Sequence, residues 1–254
     1  MPNWIFSNIV LATAVTVFAA PGFSTELTQD SLDSAAGPIL IHPFEHASFV
    51  MEWNGKTVYV DPVGDAERYS TVPPADLILL THVHGDHTSA ETLAGVASER
   101  TEVVAPAAVS EKLGETAPGN LTIVATGETF EHYGITVEAI PAYNLNEDRL
   151  KFHPKDRGDN GYVVTMGGTR IYISGDTEDI PEMRSLKSID AAFVCMNLPY
   201  TMTVERAADA VLEFAPKVVY PYHYRGQGGM SDLDAFSTLV GANPAIEVRL
   251  LKWY

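Results

Sequence analysis

Leu77-Ile78-Leu79-Leu80-Thr81-His82-Val83-His84-Gly85-Asp86-His87 is the stretch whose reading decides the fold. Leu77–Leu80 is a short aliphatic run behind Pro73-Pro74, the pattern of a buried strand. Three imidazoles and a carboxylate follow directly. They stand where a strand ends and a loop begins, a common place for active sites in layered α/β folds. Neutral imidazole and carboxylate are the ligands that suit zinc and other first-row transition metals. His82 and His84 are two apart and project to one side while strand geometry persists. Asp86 and His87 follow across Gly85, which lets the chain turn and aim them at a second point nearby. A solvated loop that happens to contain histidine would account for one His. It does not account for three beside a carboxylate behind a buried strand.

The chain has 254 residues, 46% hydrophobic and 19% charged, a globular composition with room for a large core. Lys and Arg total 16 against 33 Asp and Glu, a net charge of −17. That balance speaks against nucleic acid as a partner, since polyanions need clustered cations to displace counterions. A small-molecule substrate, even an anionic one, is compatible, because bound divalent metal reverses the sign locally. The lone Cys195 rules out an intramolecular disulfide, and its apolar surroundings read as a buried small hydrophobe.

Met1 to Ser24 carries no charged side chain, and its apolar core is followed by Ala19, Ala20, Gly22 and Ser24. This reads as a signal peptide for export to the periplasm or exterior, although a basic residue is missing at its start. An uncleaved membrane anchor is the rival reading, but about 16 apolar residues is short for a full span. With cleavage, no stable membrane insertion is expected. Residues 25–37 are polar and small and read as a flexible leader, so the folded domain is placed at 38–254. The sequence is silent on oligomeric state.

Downstream, Asn54-Gly55 is a strong hairpin turn between Ser48–Trp53 and Thr57–Val60. Gly167-Gly168 marks a second one, between Gly161–Met166 and Thr169–Ile173. Helices are expected over Ser89–Val96, Ala107–Leu113, Ile180–Leu186, Thr203–Phe214 and Asp232–Val240, strands over Ala191–Met196, Lys217–His223 and Ile246–Leu251. Periodicity gives a layered α/β protein in two similar halves.

The T-H-x-H-G-D-H loop resembles the signature of the metallo-β-lactamase superfamily. Asp61-Pro62, Gly161-Tyr162-Val163, Ser174-Gly175-Asp176-Thr177 and Pro221-Tyr222-His223-Tyr224 follow that resemblance in order. It implies an αββα sandwich, with two mixed sheets face to face and helices outside. It implies a site for two metal ions, zinc first, with manganese or iron as alternatives and nickel not excluded. His82 and His84 would hold the first ion, Asp86, His87 and His223 the second, and Asp176 both. Asp86 would also orient a metal-held hydroxide or take its proton. Asp61 is expected to hold a ligand imidazole by its free N–H, and His46 to lie close to the site. Such proteins normally supply a third histidine to the first ion from the loop after the Ile135–Ile140 strand, where this chain has Asn144. His153, nine residues on, is either ordinary surface or folds back over the cleft to touch substrate or metal, with Asp156, Arg157 and Asp159 fixing the closed loop.

The resulting reading is a metal-dependent hydrolase acting on an ester, lactone, amide or phosphodiester bond. The alternatives are an iron-dependent oxidoreductase resembling sulfur dioxygenases, and a metal-binding protein without catalysis. Fold and ligands are shared across these chemistries, so the sequence does not choose the bond.

Overall fold

In the computed structural model, which describes residues 28–118 and 120–254, the chain builds two seven-stranded sheets on one plan. The first contains β1 (Asp30–Leu32), β2 (Ile39–Glu45), β3 (Ser48–Trp53) and β4 (Lys56–Val60), all antiparallel, then β5 (Leu77–Leu79), β6 (Glu102–Ala105) and β7 (Leu121–Ile123) in parallel. The parallel connections carry α1 (Ala90–Val96) and α2 (Ala107–Leu113). The second sheet repeats this. Strands β8 (Thr129–His132), β9 (Ile135–Pro141), β10 (Asn160–Met166) and β11 (Thr169–Ile173) are antiparallel, and β12 (Ala191–Cys195) and β13 (Val218–Tyr222) add in parallel. The short hairpin of β14 (Arg225–Gly226) and β15 (Gly229–Met230) stands apart, and β16 (Glu247–Val248) closes the edge beside β13. Helices α3 (Pro181–Arg184), α4 (Val204–Phe214) and α5 (Leu233–Val240) belong to this half.

Local chemistry explains these elements. Asn54 and Gly55 both have positive φ, 50° and 70°, and Trp53 pairs with Lys56 across them. That backbone twist matches the right-handed twist of the strands it joins. Ser89 caps α1 by accepting from the Thr92 amide, and Thr203 and Asp232 cap α4 and α5 in the same way. Strands β5, β12 and β13 are buried at every residue, because parallel strands are covered on both faces. Their sequences are therefore continuous apolar runs. Strand β9 instead alternates, with one face on the core.

The sheets meet face to face. Phe49 of β3 stacks on Phe193 of β12 with ring centroids 4.2 Å apart. Burying such a ring contributes roughly 1.5–3 kcal/mol. On the outer face of the first sheet, Ile78, Leu80 and Val103 pack against Leu93 and Val96 of α1 and Val109 of α2. On the other side, Phe214 of α4 sits edge-on to Tyr172 of β11. The αββα sandwich expected from the resemblance is the fold observed.

One boundary needs correction. The expected loose leader over 25–37 is tied down from Asp30 onward. Asp30–Leu32 pairs with Ile39–Ile41, Asp30 accepts from Tyr220 and Arg249, and Ser34 accepts from the Trp53 indole. The side-chain partners lie 19 to 219 residues away in sequence, which local polarity could not reveal. The segment Met1–Ser24 lies outside the described residues. No helix among the described residues is long and apolar enough to cross a membrane.

Candidate metal centre

The site forms where strand ends converge. Asp61 follows β4, the histidine loop follows β5, Asp176 follows β11 and His223 follows β13. Asn144 follows β9, and His46 sits in the turn between β2 and β3. Three of these non-glycine residues have left-handed backbones: His46 (φ 52°), Asp61 (42°) and His223 (44°). Each such conformation costs on the order of 1–3 kcal/mol, a strain that clusters at functional sites. Gly175 has φ 60° and lies so close to the Asn160 carbonyl that a Cβ would approach it to 2.9 Å. A glycine is therefore required to aim Asp176. Gly85, by contrast, is not in the left-handed region, so the turn in the histidine loop does not depend on it.

Three ring nitrogens converge first. His82 Nε2 lies 3.0 Å from His84 Nδ1, which lies 3.2 Å from His153 Nε2. The hydrogen bonds behind the rings set their tautomers. Thr81 Oγ1 donates to Asp61 at 2.6 Å and so accepts from His82 Nδ1 at 3.0 Å, leaving the lone pair on Nε2. His153 Nδ1 donates to the Tyr200 carbonyl at 3.2 Å, with the same result. Burial pushes the His82 imidazole well down from its usual pKa, helped by His87 and His153. Burial lowers His84 as well and pushes His153 down to about 4. Burial disfavours the charged form of all three rings, and His82 and His153 offer their Nε2 lone pairs to the point where His84 presents Nδ1.

A second group lies beside it. His87 Nδ1 donates to Asp61 Oδ2 at 2.7 Å, so its Nε2 faces Asp176 Oδ1 at 3.4 Å. His223 Nε2 is 3.5 Å from both Asp86 Oδ2 and Asp176 Oδ1. Asp176 Oδ2 lies 3.5 Å from His153 Nε2, so its two oxygens address the two groups separately. Burial opposes the charge of His87, but Asp176 and Asp61 outweigh it and push the imidazole up to about 9. Burial likewise pushes Asp86 up, yet His223 beside it and the charge of His87 hold its carboxyl far below the usual range.

The donor set fits metal on two counts. Three sets of ligand atoms each lie within 4.8 Å of one another: His82, His84 and His153; His82, His87 and Asp176; His46, Asp86 and His223. Moreover, His87 Nε2, His223 Nε2 and Asp176 Oδ1 are buried without hydrogen-bond partners. Leaving such atoms unsatisfied costs about 1–3 kcal/mol each, which a cation would relieve.

The six side chains read from sequence as ligands lie together, and Asp61 bonds the His87 ring at Nδ1. His153 is fully buried in the nitrogen triad and is not surface. Asn144 stands behind it, giving its two amide hydrogens to the carbonyls of Arg149 and Tyr200 at 3.0 and 2.7 Å. Of the three charged residues of that loop, Arg157 and buried Asp159 pair with one another. His46 lies at the rim, its ring edge-on to His223. His42 instead pairs with Glu52 on the sheet. Cys195 is buried, and burial pushes its thiol up to about 12, so it is no nucleophile.

Sequence reading missed the clamp on the His153 loop. Buried Glu178 accepts from the amides of Leu145 and Asn146, both at 2.6 Å, and from Arg149 at 2.7 Å. Also missed was most of the cavity over the site, about 460 Å³, walled by Phe152, Asn197, Tyr200, Arg225 and Gln227. The only sequence hint was that Glu178 and Arg225 each lie two residues beyond a ligand.

The signature of the Beta-lactamase superfamily domain matches residues 40–223. The chain belongs to the metallo-β-lactamase superfamily. A UPF0173 metal-dependent hydrolase of Thermococcus onnurineus is 32% identical over 82% of this chain and 93% of its own length. The crystal structure of a protein from Parabacteroides distasonis, named a putative metal-dependent hydrolase, has a TM-score of 0.79 at 39% identity, covering 89% of this chain and 100% of that one. CmlA, a diiron β-hydroxylase from Streptomyces venezuelae, shares the fold alone: TM-score 0.66, 19% identity, 84% of this chain and 53% of that chain. This superfamily member is an enzyme of the metal-dependent hydrolase kind.

Proposed function

We propose that this enzyme hydrolyses an ester, lactone, amide or phosphodiester bond of a small molecule at a centre of two zinc ions. His82, His84 and His153 would hold one ion, Asp86, His87 and His223 the other, with Asp176 giving an oxygen to each. The observation that carries this reading is the nitrogen triad of His82, His84 and His153 beside a carboxylate whose two oxygens face two groups. Divalent metal held there supplies Lewis acidity and draws the pKa of a coordinated water towards 7.

The chain's own residues supply the rest. Asp61 holds His87 directly and His82 through Thr81, so one carboxylate sets the tautomer of an imidazole in each group. Asp86 is the most exposed of the carboxylates here, 42% by its side chain, and is held ionised at the cavity. It would orient an attacking water and accept its proton. The cavity is sized for a small substrate. The likeness to CmlA is one of fold, while the more similar relatives are named hydrolases, which favours hydrolysis over iron oxygen chemistry. The uncharged apolar segment Met1–Ser24 would direct export and be removed.

Metal analysis of the purified protein, with a panel of ester, lactone, amide and phosphodiester substrates, tests the reading. One to two ions per chain and turnover of one class are expected. His84→Ala should lose most of the metal and cut kcat by orders of magnitude. Wild-type turnover by metal-free His84→Ala protein would overturn it.

A further inference from the structure

Arg225 is the only lysine or arginine among the described residues that line the cavity. It sits two residues beyond His223, at the start of the β14–β15 hairpin, so its position is indexed to the metal centre. Its guanidinium carbon lies 4.3 Å over the Tyr254 ring, and one Nη donates to His46 Nε2 at 3.2 Å. The nearest carboxylate, Glu45, is 4.0 Å away and already bonded to Arg68. The guanidinium is thus oriented by a ring and an imidazole, and its one carboxylate at ion-pair distance is shared with Arg68. A guanidinium presents five N–H donors in a fork that matches an oxyanion.

The setting adds weight. The chain carries −17, so an anion meets an unfavourable field except where cations gather locally. The carboxylates in the cavity wall, Asp86 and Asp176, belong to the proposed metal set, and Phe152, Tyr200, Asn197 and Gln227 add aromatic and amide wall. Such a wall offers stacking and hydrogen bonds but no second charge.

We propose that Arg225 binds an anionic group of the substrate, a carboxylate or a phosphate, while the bond to be cleaved lies over the metal centre; this rests on the hydrolase reading above. Arg225 then sets substrate class, and the molecule taken is a small acid rather than a neutral ester or amide.

The test compares two esters on the metal-loaded enzyme, mono-p-nitrophenyl glutarate and p-nitrophenyl butyrate. The wild type should prefer the anionic ester. Arg225→Gln should reduce that preference tenfold to a hundredfold, as loss of a charged hydrogen bond implies, chiefly through KM. Arg225→Lys should recover part of it. Arg225→Met, which keeps the stem against Tyr254, gives the same reading should the Gln variant not fold. A merely structural arginine would lower both esters alike, and that result, or an unchanged preference, refutes the proposal. If neither ester is cleaved, calorimetric titration with glutarate and with inorganic phosphate still decides. Binding lost in Arg225→Gln upholds the anion site while counting against the ester reading, and shows which oxyanion fits. No binding of either to the wild type overturns the anion site itself.

Discussion

Asp61→Asn is nearly isosteric, yet it should weaken both halves of the candidate metal centre. Asp61 Oδ1 accepts from the Thr81 amide at 2.7 Å, and Oδ2 accepts from Thr81 Oγ1 at 2.6 Å and His87 Nδ1 at 2.7 Å. The backbone amide can only donate, so an Asn side chain must keep its oxygen there. Its NH2 then faces His87 and Thr81. His87 Nδ1 has to become an acceptor, which moves the ring proton to Nε2, the atom aimed at Asp176. Thr81 must accept from the amide and turn its own hydrogen towards His82 Nδ1, moving that ring's proton to Nε2 as well. Each group loses a lone pair without any change in side-chain volume. Partners of this kind are typically worth tenfold to a hundredfold in metal affinity, about 1.4–2.8 kcal/mol. The fold should survive, since volume and the Thr81 amide bond are kept. Competition with a chelator at pH 7 measures the affinities, and 15N imidazole shifts of the metal-loaded protein report the tautomers. Wild-type affinity for both ions in Asp61→Asn, with the His87 proton still on Nδ1, would refute the reasoning. The metal-free protein adds a pH signature. The raised pKa of His87, about 9 against about 6.5 unfolded, contributes stability that is full below about 6.5 and is lost as pH rises through about 9. Asp61 is one of its causes, so Asp61→Asn should shrink that step in a denaturation series.

His153→Ala removes one of three nitrogens from the first group and leaves the second intact. Activity should fall at least about tenfold and bound metal by up to one ion per chain, by kinetics and elemental analysis; unchanged kcat/KM and metal content would return His153 to a packing role. Protein from its native host should begin between about Ala20 and Glu26 and lie outside the cytoplasm. N-terminal sequencing that returned Met1 or Pro2 would rule out cleavage.

Short-range chemistry carried much of the sandwich. Apolar runs of strand length, two turns that need positive φ and capping side chains are decided within a few residues of chain, so they can be read along it. The same holds for His82, His84, Asp86 and His87, which one strand end and one turn place together. Asp176 and His223 were found by resemblance, since Gly-Asp and Tyr-His at strand ends have many ordinary uses. The rest depends on closure across the sheets. His153 reaches its partners because Glu178 and Asn144 pin residues 144–153 against Tyr200, contacts that span 29 to 56 positions. Arg225 faces the cavity because a two-residue hairpin folds it onto Tyr254 and His46, the latter 179 positions away. Asp30–Leu32 is a strand only because β2 offers it an edge. In each case the sequence determines which groups are available. Their direction is set by the lowest-energy way of burying both sheets at once, and that exists only in the folded chain.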